Sequence, residues 1–103
     1  NGSVTLNLKK PEGIRLAHEM HPDLIFMDIV MPGIDGFRAT RALANDPDTR
    51  AIPVIMVSSK NQETDKIWGM RQGAVDYLVK PVEGEKLRTA VARAMEQREL
   101  AQL

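Results

Sequence analysis

The sequence has no cysteine, no excess of either charge and no long apolar run. The absence of cysteine excludes a disulfide scaffold, a thiolate metal site and a cysteine nucleophile. Lysine and arginine number 14 together, as do aspartate and glutamate, which argues against a broad electrostatic surface for nucleic acid or an anionic membrane. No apolar stretch approaches the ~20 residues that span a bilayer, and there is no signal-peptide pattern, so we expect a cytoplasmic protein.

The length and composition describe one small domain. The chain has 103 residues, of which 43% are apolar, enough for a single core. It begins with Asn1, Gly2 and Ser3 rather than methionine. We interpret residues 1–3 as a tag or cloning remnant and residues 4–103 as the domain itself.

Short apolar segments alternate with segments of helical period along the chain. Turn residues such as Gly73 and the 45–48 segment separate them. Alternation of this kind predicts an α/β fold with a parallel sheet, helices on both faces and right-handed crossovers. Strands are predicted at residues 4–8, 24–27, 53–57 and 76–79, and helices at residues 11–20, 36–44, 63–72 and from residue 83 onwards.

Polar side chains follow three of these strands at the point where each strand ends. They are Asp28, Ser58 and Lys80. Each alone is an ordinary turn or surface residue. Because the carboxyl ends of parallel strands meet at one edge of a sheet, the three together predict a site at that edge.

The same segments resemble the receiver domains of bacterial response regulators. The resemblance covers residues 4–97 and rests on MDIVMPGIDG at residues 27–36, IPVIMVSS at 52–59 and GAVDYLVKP at 73–81. The segment SKNQETDKIWG, at residues 59–69, is similar to the PilH-type regulators of twitching motility. The resemblance implies a flavodoxin-like (CheY-like) three-layer sandwich with strand order 2-1-3-4-5, and a signalling domain rather than a self-standing enzyme.

The resemblance also implies a role for each site residue. Asp28 would accept a phosphoryl group from a histidine kinase, since carboxylates serve as nucleophiles in such transfers. Lys80 and the Ser58 hydroxyl would bind phosphoryl oxygens, and Ser59 would contribute a backbone N–H. Mg²⁺ would bind Asp28, the backbone carbonyl of Val30 and waters.

In receivers the added phosphate charge remodels a surface that a downstream protein binds. As Ser58 moves toward the phosphate, Tyr77 would rotate inward. The partner surface would include Trp68, Tyr77 and Leu87. The competing interpretations are that Trp68 anchors the core and that Tyr77 is a half-buried strand residue.

One part of the receiver pattern is missing. Receivers begin with a strand that ends in two acidic residues, yet no acidic residue precedes Glu12, and residues 4–8 align with the second receiver strand. We therefore expect the first strand and helix to be absent, the Mg²⁺ site to be incomplete, and phosphorylation to be slow or undetectable. An unpaired sheet edge would favour a rearranged amino-terminal strand or a homo-oligomer.

Other functions fit the sequence less well. A phosphorylation-independent adaptor of the same fold remains an alternative. An aspartate-nucleophile phosphatase would have a second aspartate where this chain has Val30, and nucleotide binding lacks a GxxxxGK[ST] or GxGxxG motif. His18 and His21 flank the end of the first helix without an evident third metal ligand, so we expect a solvated helix end.

Overall fold

The computed structural model describes residues 12–29 and 34–101. In this part of the chain four helices alternate with three strands, as the sequence predicts. The predicted strand at residues 4–8, and with it any rearranged amino terminus, lies outside the described residues. The elements are α1 (Glu12–Met20), β1 (Ile25–Ile29), α2 (Ile34–Asn45), β2 (Val54–Ser58), α3 (Glu63–Arg71), β3 (Asp76–Val79) and α4 (Gly84–Ala101).

The three strands form a parallel sheet in the order β1-β2-β3. The prediction of a parallel α/β sheet is confirmed, with fewer strands among the described residues than the five of a full receiver sheet. The register aligns Asp28 with Val57 and Ile29 with Ser58. Because this pairing continues past Met27, β1 includes Asp28 and extends one residue beyond it, to Ile29.

Apolar side chains on the two faces of the sheet form two cores. Helices α1, α2 and α3 cover one face and α4 covers the other, as expected for a three-layer sandwich. The first core includes Ala17, Ile25, Met27, Ala39, Leu43, Met56 and Tyr77, and the second consists of Leu24, Ile55, Ala90 and Ala94.

Among the described residues, no helix is long and apolar enough to cross a membrane.

Two residues with left-handed backbone conformation lie at helix ends. Gly73 follows α3 with a φ of 110°, which confirms it as the predicted stop of that helix. His21 follows α1 with a φ of 45°, and its N–H donates to the carbonyl of Ala17 at 3.1 Å. Sequence analysis predicts the end of this helix at residue 20 but not the left-handed conformation of His21, because glycine or asparagine is the usual residue at that position.

Gly69 lets α3 lie close to the sheet. It is buried within the helix, and a Cβ added there would lie 2.7 Å from Met56 Sδ and 3.0 Å from Tyr77 Cδ2. Overpacking of this kind costs about 1–3 kcal/mol, against roughly 1 kcal/mol that alanine gains over glycine in a helix. We therefore expect Gly69→Ala to lower the free energy of unfolding, measured with urea.

The matched control is Gly84→Ala at the start of α4. Its added Cβ would meet only the guanidinium end of Arg88, at 3.2 Å, and that flexible group can move aside. We expect this variant to be as stable as the wild type or slightly more so. Equal stability of the two variants would contradict the tight contact at Gly69.

Candidate functional site

An ion pair between Asp28 and Lys80 lies at the carboxyl edge of the sheet. Lys80 Nζ donates to Asp28 Oδ1 at 2.7 Å. The carboxylate is near the end of β1 and the lysine directly follows β3, so the long lysine side chain reaches across the intervening strand β2. The side chains are 30% and 45% exposed respectively. The carboxylate is therefore open to an incoming group and already has a positive charge beside it.

Ser58 lies at the same edge but its hydroxyl points elsewhere. Its backbone aligns with Ile29 on one side and Val79 on the other, and its carbonyl accepts from the Lys80 N–H at 2.7 Å. Neighbouring residues of a strand face opposite sides of the sheet. The Ser58 side chain is accordingly buried, at 1% exposed, on the face opposite to that of Val57.

The Ser58 hydroxyl takes part in a short hydrogen-bonded link to Tyr77. Its Oγ accepts from the Lys60 N–H at 3.0 Å, and the Lys60 carbonyl accepts from the Tyr77 hydroxyl at 3.1 Å. A single residue of the β2–α3 loop thus joins the two hydroxyl groups through its backbone. Sequence analysis missed Lys60, since a backbone role leaves no signal in the residue type.

Tyr77 differs from the sequence expectation. Its ring is 8% exposed and belongs to the first core, because it packs beside the gap that Gly69 leaves. The half-buried interpretation is therefore corrected to a buried one, and in this structure Tyr77 contributes little accessible area to the predicted partner surface. Ser59, by contrast, is exposed in the loop after β2.

The remaining partner-surface residues are accessible. Trp68 is 56% exposed, so the interpretation of this side chain as a core anchor is wrong. Its α3 neighbours Ile67 and Met70 are exposed as well. Leu87, on α4, is half-buried.

The described residues do not supply a metal site. Among them, no group of three or more histidine, cysteine, aspartate or glutamate side chains is arranged to hold a metal ion. Val30, the other predicted ligand, lies outside the described residues. Asp28 alone, with one oxygen bonded to an ammonium group, does not fit a Mg²⁺ site, which ordinarily combines one or two carboxylates with other oxygen ligands.

Comparisons with known proteins agree with this geometry. Residues 3–92 match the response regulator receiver domain family, and the chain belongs to that family. Receiver domains are signalling phosphoacceptors of two-component systems rather than self-standing enzymes, and they typically bind Mg²⁺. The predicted family, fold class and non-enzymatic character are thus confirmed.

Two curated relatives place the chain within the family. It is 60% identical to Protein PilH of Pseudomonas aeruginosa over 76 residues, which cover 74% of this chain and 63% of PilH. It is 39% identical to the response regulator PleD of Caulobacter vibrioides over 80 residues, 78% of this chain and 18% of PleD. The chain therefore spans less than two thirds of the length of these relatives.

Solved structures show the same fold. The signal receiver domain of a modulated diguanylate cyclase from Desulfovibrio desulfuricans matches with a TM-score of 0.70 and 26% identity, over 87% of this chain and 70% of that chain. A response regulator from Desulfuromonas acetoxidans matches with a TM-score of 0.67 and 28% identity, over 82% and 69%.

Proposed function

We propose that this chain is a phosphoacceptor of a two-component phosphorelay, with Asp28 as the residue that a histidine kinase phosphorylates. The observation that carries the proposal is the 2.7 Å contact between Lys80 Nζ and Asp28 Oδ1. An exposed carboxylate paired with an ammonium group, at the carboxyl end of a parallel sheet, suits attack on a phosphorus atom. Phosphoryl transfer depends mainly on positioning and on neutralising charge.

In the proposed reaction an Asp28 oxygen bonds to phosphorus as the phosphorus–nitrogen bond of a phosphohistidine breaks. The electron pair of the broken bond stays on the kinase histidine, whose ring leaves as neutral imidazole because its other nitrogen carries a proton, and Asp28 becomes an aspartyl phosphate. Lys80 turns from the carboxylate toward a phosphoryl oxygen and keeps the added negative charge paired. The Ser59 N–H supplies a further donor. Mg²⁺ would bind this chain weakly or not at all, and Asp28 with the Val30 carbonyl would be its protein ligands.

The switch begins at Ser58. Its hydroxyl leaves the Lys60 N–H and donates to a phosphoryl oxygen, which removes one of the hydrogen bonds that hold the Lys60 backbone. The β2–α3 loop and Tyr77 then adjust together, because the Tyr77 hydroxyl is bonded to the same residue. The change reaches the surface at α3, where Trp68 is exposed.

We infer that the output is contact with a downstream protein through Trp68 and Leu87, with no role for nucleic acid or membrane, and that the protein acts in the cytoplasm. The identity to PilH supports a role in twitching motility, in line with the resemblance in the sequence. The phosphatase alternative is disfavoured by Val30, which lacks the acid that such enzymes carry at that position.

Mapping of the phosphorylated residue tests the proposal. The chain is incubated with acetyl phosphate and Mg²⁺, the acyl phosphate is reduced with borohydride, and the peptide containing the modified residue is sequenced by mass spectrometry. We expect the modification at Asp28. Phosphate incorporation at this residue supports the proposal even if it is slow. Failure to detect any acyl phosphate would instead favour the phosphorylation-independent adaptor, and modification of a different residue would contradict the assignment of Asp28.

A further inference from the structure

His18, near the end of α1, lies between two carboxylates of the turn that follows α2. Its Nε2 is 3.0 Å from Asp46 Oδ2 and its Nδ1 is 2.8 Å from Asp48 Oδ2. The side chain remains partly exposed, as expected for a solvated helix end, but the two carboxylate partners were not predicted. The partners come from a turn about 30 residues further along the chain. The pattern of residues within one helix does not predict a contact between segments so far apart in sequence.

The geometry selects one protonation state of the ring. A neutral imidazole has one N–H and one bare nitrogen. Nδ1 forms a hydrogen bond with Asp48 Oδ2, and Nε2 lies within ion-pairing distance of Asp46 Oδ2, at 3.0 Å. A bare nitrogen at either position would face a carboxylate oxygen with no proton between them. Both contacts are favourable only for the imidazolium form, and the negative end of the α1 dipole favours the same form.

The turn holds its carboxylates in place before the histidine meets them. Asp46 Oδ1 accepts from the Asp48 N–H at 2.9 Å, and the Asp46 carbonyl accepts from the N–H groups of Thr49 and Arg50 at 3.1 and 2.8 Å. The buried Thr49 hydroxyl donates to the Leu43 carbonyl at 2.8 Å. The turn is thereby fixed to the end of α2, so little ordering is needed to bind the ring.

Other charged groups near His18 do not complete a competing pair. On α1, Arg15 and Glu19 lie 3.8 Å apart and pair with each other. His21 Nε2 is 3.8 Å from Asp48 Oδ2, beyond hydrogen-bond distance. A metal ion is not indicated, because the described part of the chain contains no side-chain group arranged to hold one.

We propose that His18, Asp46 and Asp48 form a proton-dependent clamp that fastens α1 to the α2–β2 turn and loosens as the pH rises. When the ring loses its second proton, one of the two contacts is lost. Helix α1 is then held chiefly by apolar packing of Ala17 and Ile14 against the first core. The clamp lies at the amino ends of the strands, opposite the Asp28 edge, and is independent of phosphorylation.

The pH window follows from the direction of the shift. The hydrogen bond with Asp48 raises the pKa of His18 above its ordinary value of 6.5, and the charges of Asp46 and Asp48 add to this increase, while burial opposes it. A pKa that is higher in the folded than in the unfolded state stabilises the fold fully below pH 6.5. That stabilisation is lost as the pH rises through the folded-state value.

The test is a titration of the two histidine rings by nitrogen-detected NMR between about pH 5 and about pH 9. We expect the His18 pKa to lie above 6.5 and to fall in the double variant Asp46→Asn, Asp48→Asn, which keeps one oxygen acceptor in each side chain but removes both charges. His21→Asn is the matched control, since asparagine tolerates the left-handed backbone there. It should leave the His18 titration unchanged.

A second measurement separates the clamp from a titration without structural effect. Amide hydrogen exchange is measured across the same pH range, with the rates corrected for intrinsic exchange and with β2 as the internal reference. In the wild type, the protection of the α1 amides should fall as His18 loses its proton. In His18→Gln, α1 should have the protection of the deprotonated wild type at every pH. A wild-type His18 pKa at or below 6.5, or the same loss of α1 protection with pH in His18→Gln, would overturn the proposal.

Discussion

Replacing Asp28 with asparagine is expected to abolish phosphate incorporation from acetyl phosphate while leaving the fold intact. Asparagine has nearly the same shape but no carboxylate oxygen to form an acyl phosphate. The variant leaves Lys80 without its partner, yet that side chain is 45% exposed and water can solvate it. Exposed ion pairs contribute about 0.2–1 kcal/mol, so the free energy of unfolding should change little.

The matched control for this prediction is Asp65→Asn, which removes a carboxylate from the first turn of α3. It should incorporate phosphate as the wild type does, measured with radiolabelled phosphodonor under the same conditions. Labelling of Asp28→Asn at the wild-type level would show that the phosphate resides elsewhere.

The second large effect is expected at Lys80. Lys80→Met keeps much of the length of the side chain but removes the ammonium group that neutralises the developing phosphoryl charge. Loss of one preorganised group of this kind lowers rates by about 10²–10³-fold, and we expect a decrease of that order in the initial rate of phosphate incorporation. Lys80→Arg keeps the positive charge on a side chain of different shape. Its initial rate of phosphate incorporation should lie between those of the wild type and Lys80→Met.

Lys86→Met is the control for Lys80→Met, because Lys86 is an exposed lysine on α4 outside the site. Its labelling rate should equal that of the wild type, and urea unfolding should give similar stabilities for all three lysine variants. If Lys80→Met is labelled at the wild-type rate, the 2.7 Å ion pair has no role in the transfer.

The sequence was informative wherever residue type and position carried the signal. The alternation of strand and helix patterns predicted every element among the described residues, and the strand-end pattern singled out Asp28 and Lys80, which the structure joins directly. Gly73 was predictable as the residue that ends α3, because the left-handed backbone conformation that ends many helices suits glycine.

Other features depended on contacts between distant parts of the chain. The burial of Tyr77 depends on the space that Gly69 leaves in a different element, and the link from Ser58 to Tyr77 passes through the backbone of Lys60. The exposure of Trp68 was predicted from the family resemblance and not from its residue type, because a large aromatic side chain more often lies in a core.

The most direct test of a shared site at Asp28, Ser58 and Lys80 is the amide NMR spectrum of the isotope-labelled chain with beryllofluoride and Mg²⁺, which together mimic an aspartyl phosphate. We predict that signals of these three residues shift, together with those of Lys60 and Tyr77, and that Asp28→Asn shows no such shifts. Unchanged signals at the three residues, or the same shifts in Asp28→Asn, would contradict the assignment.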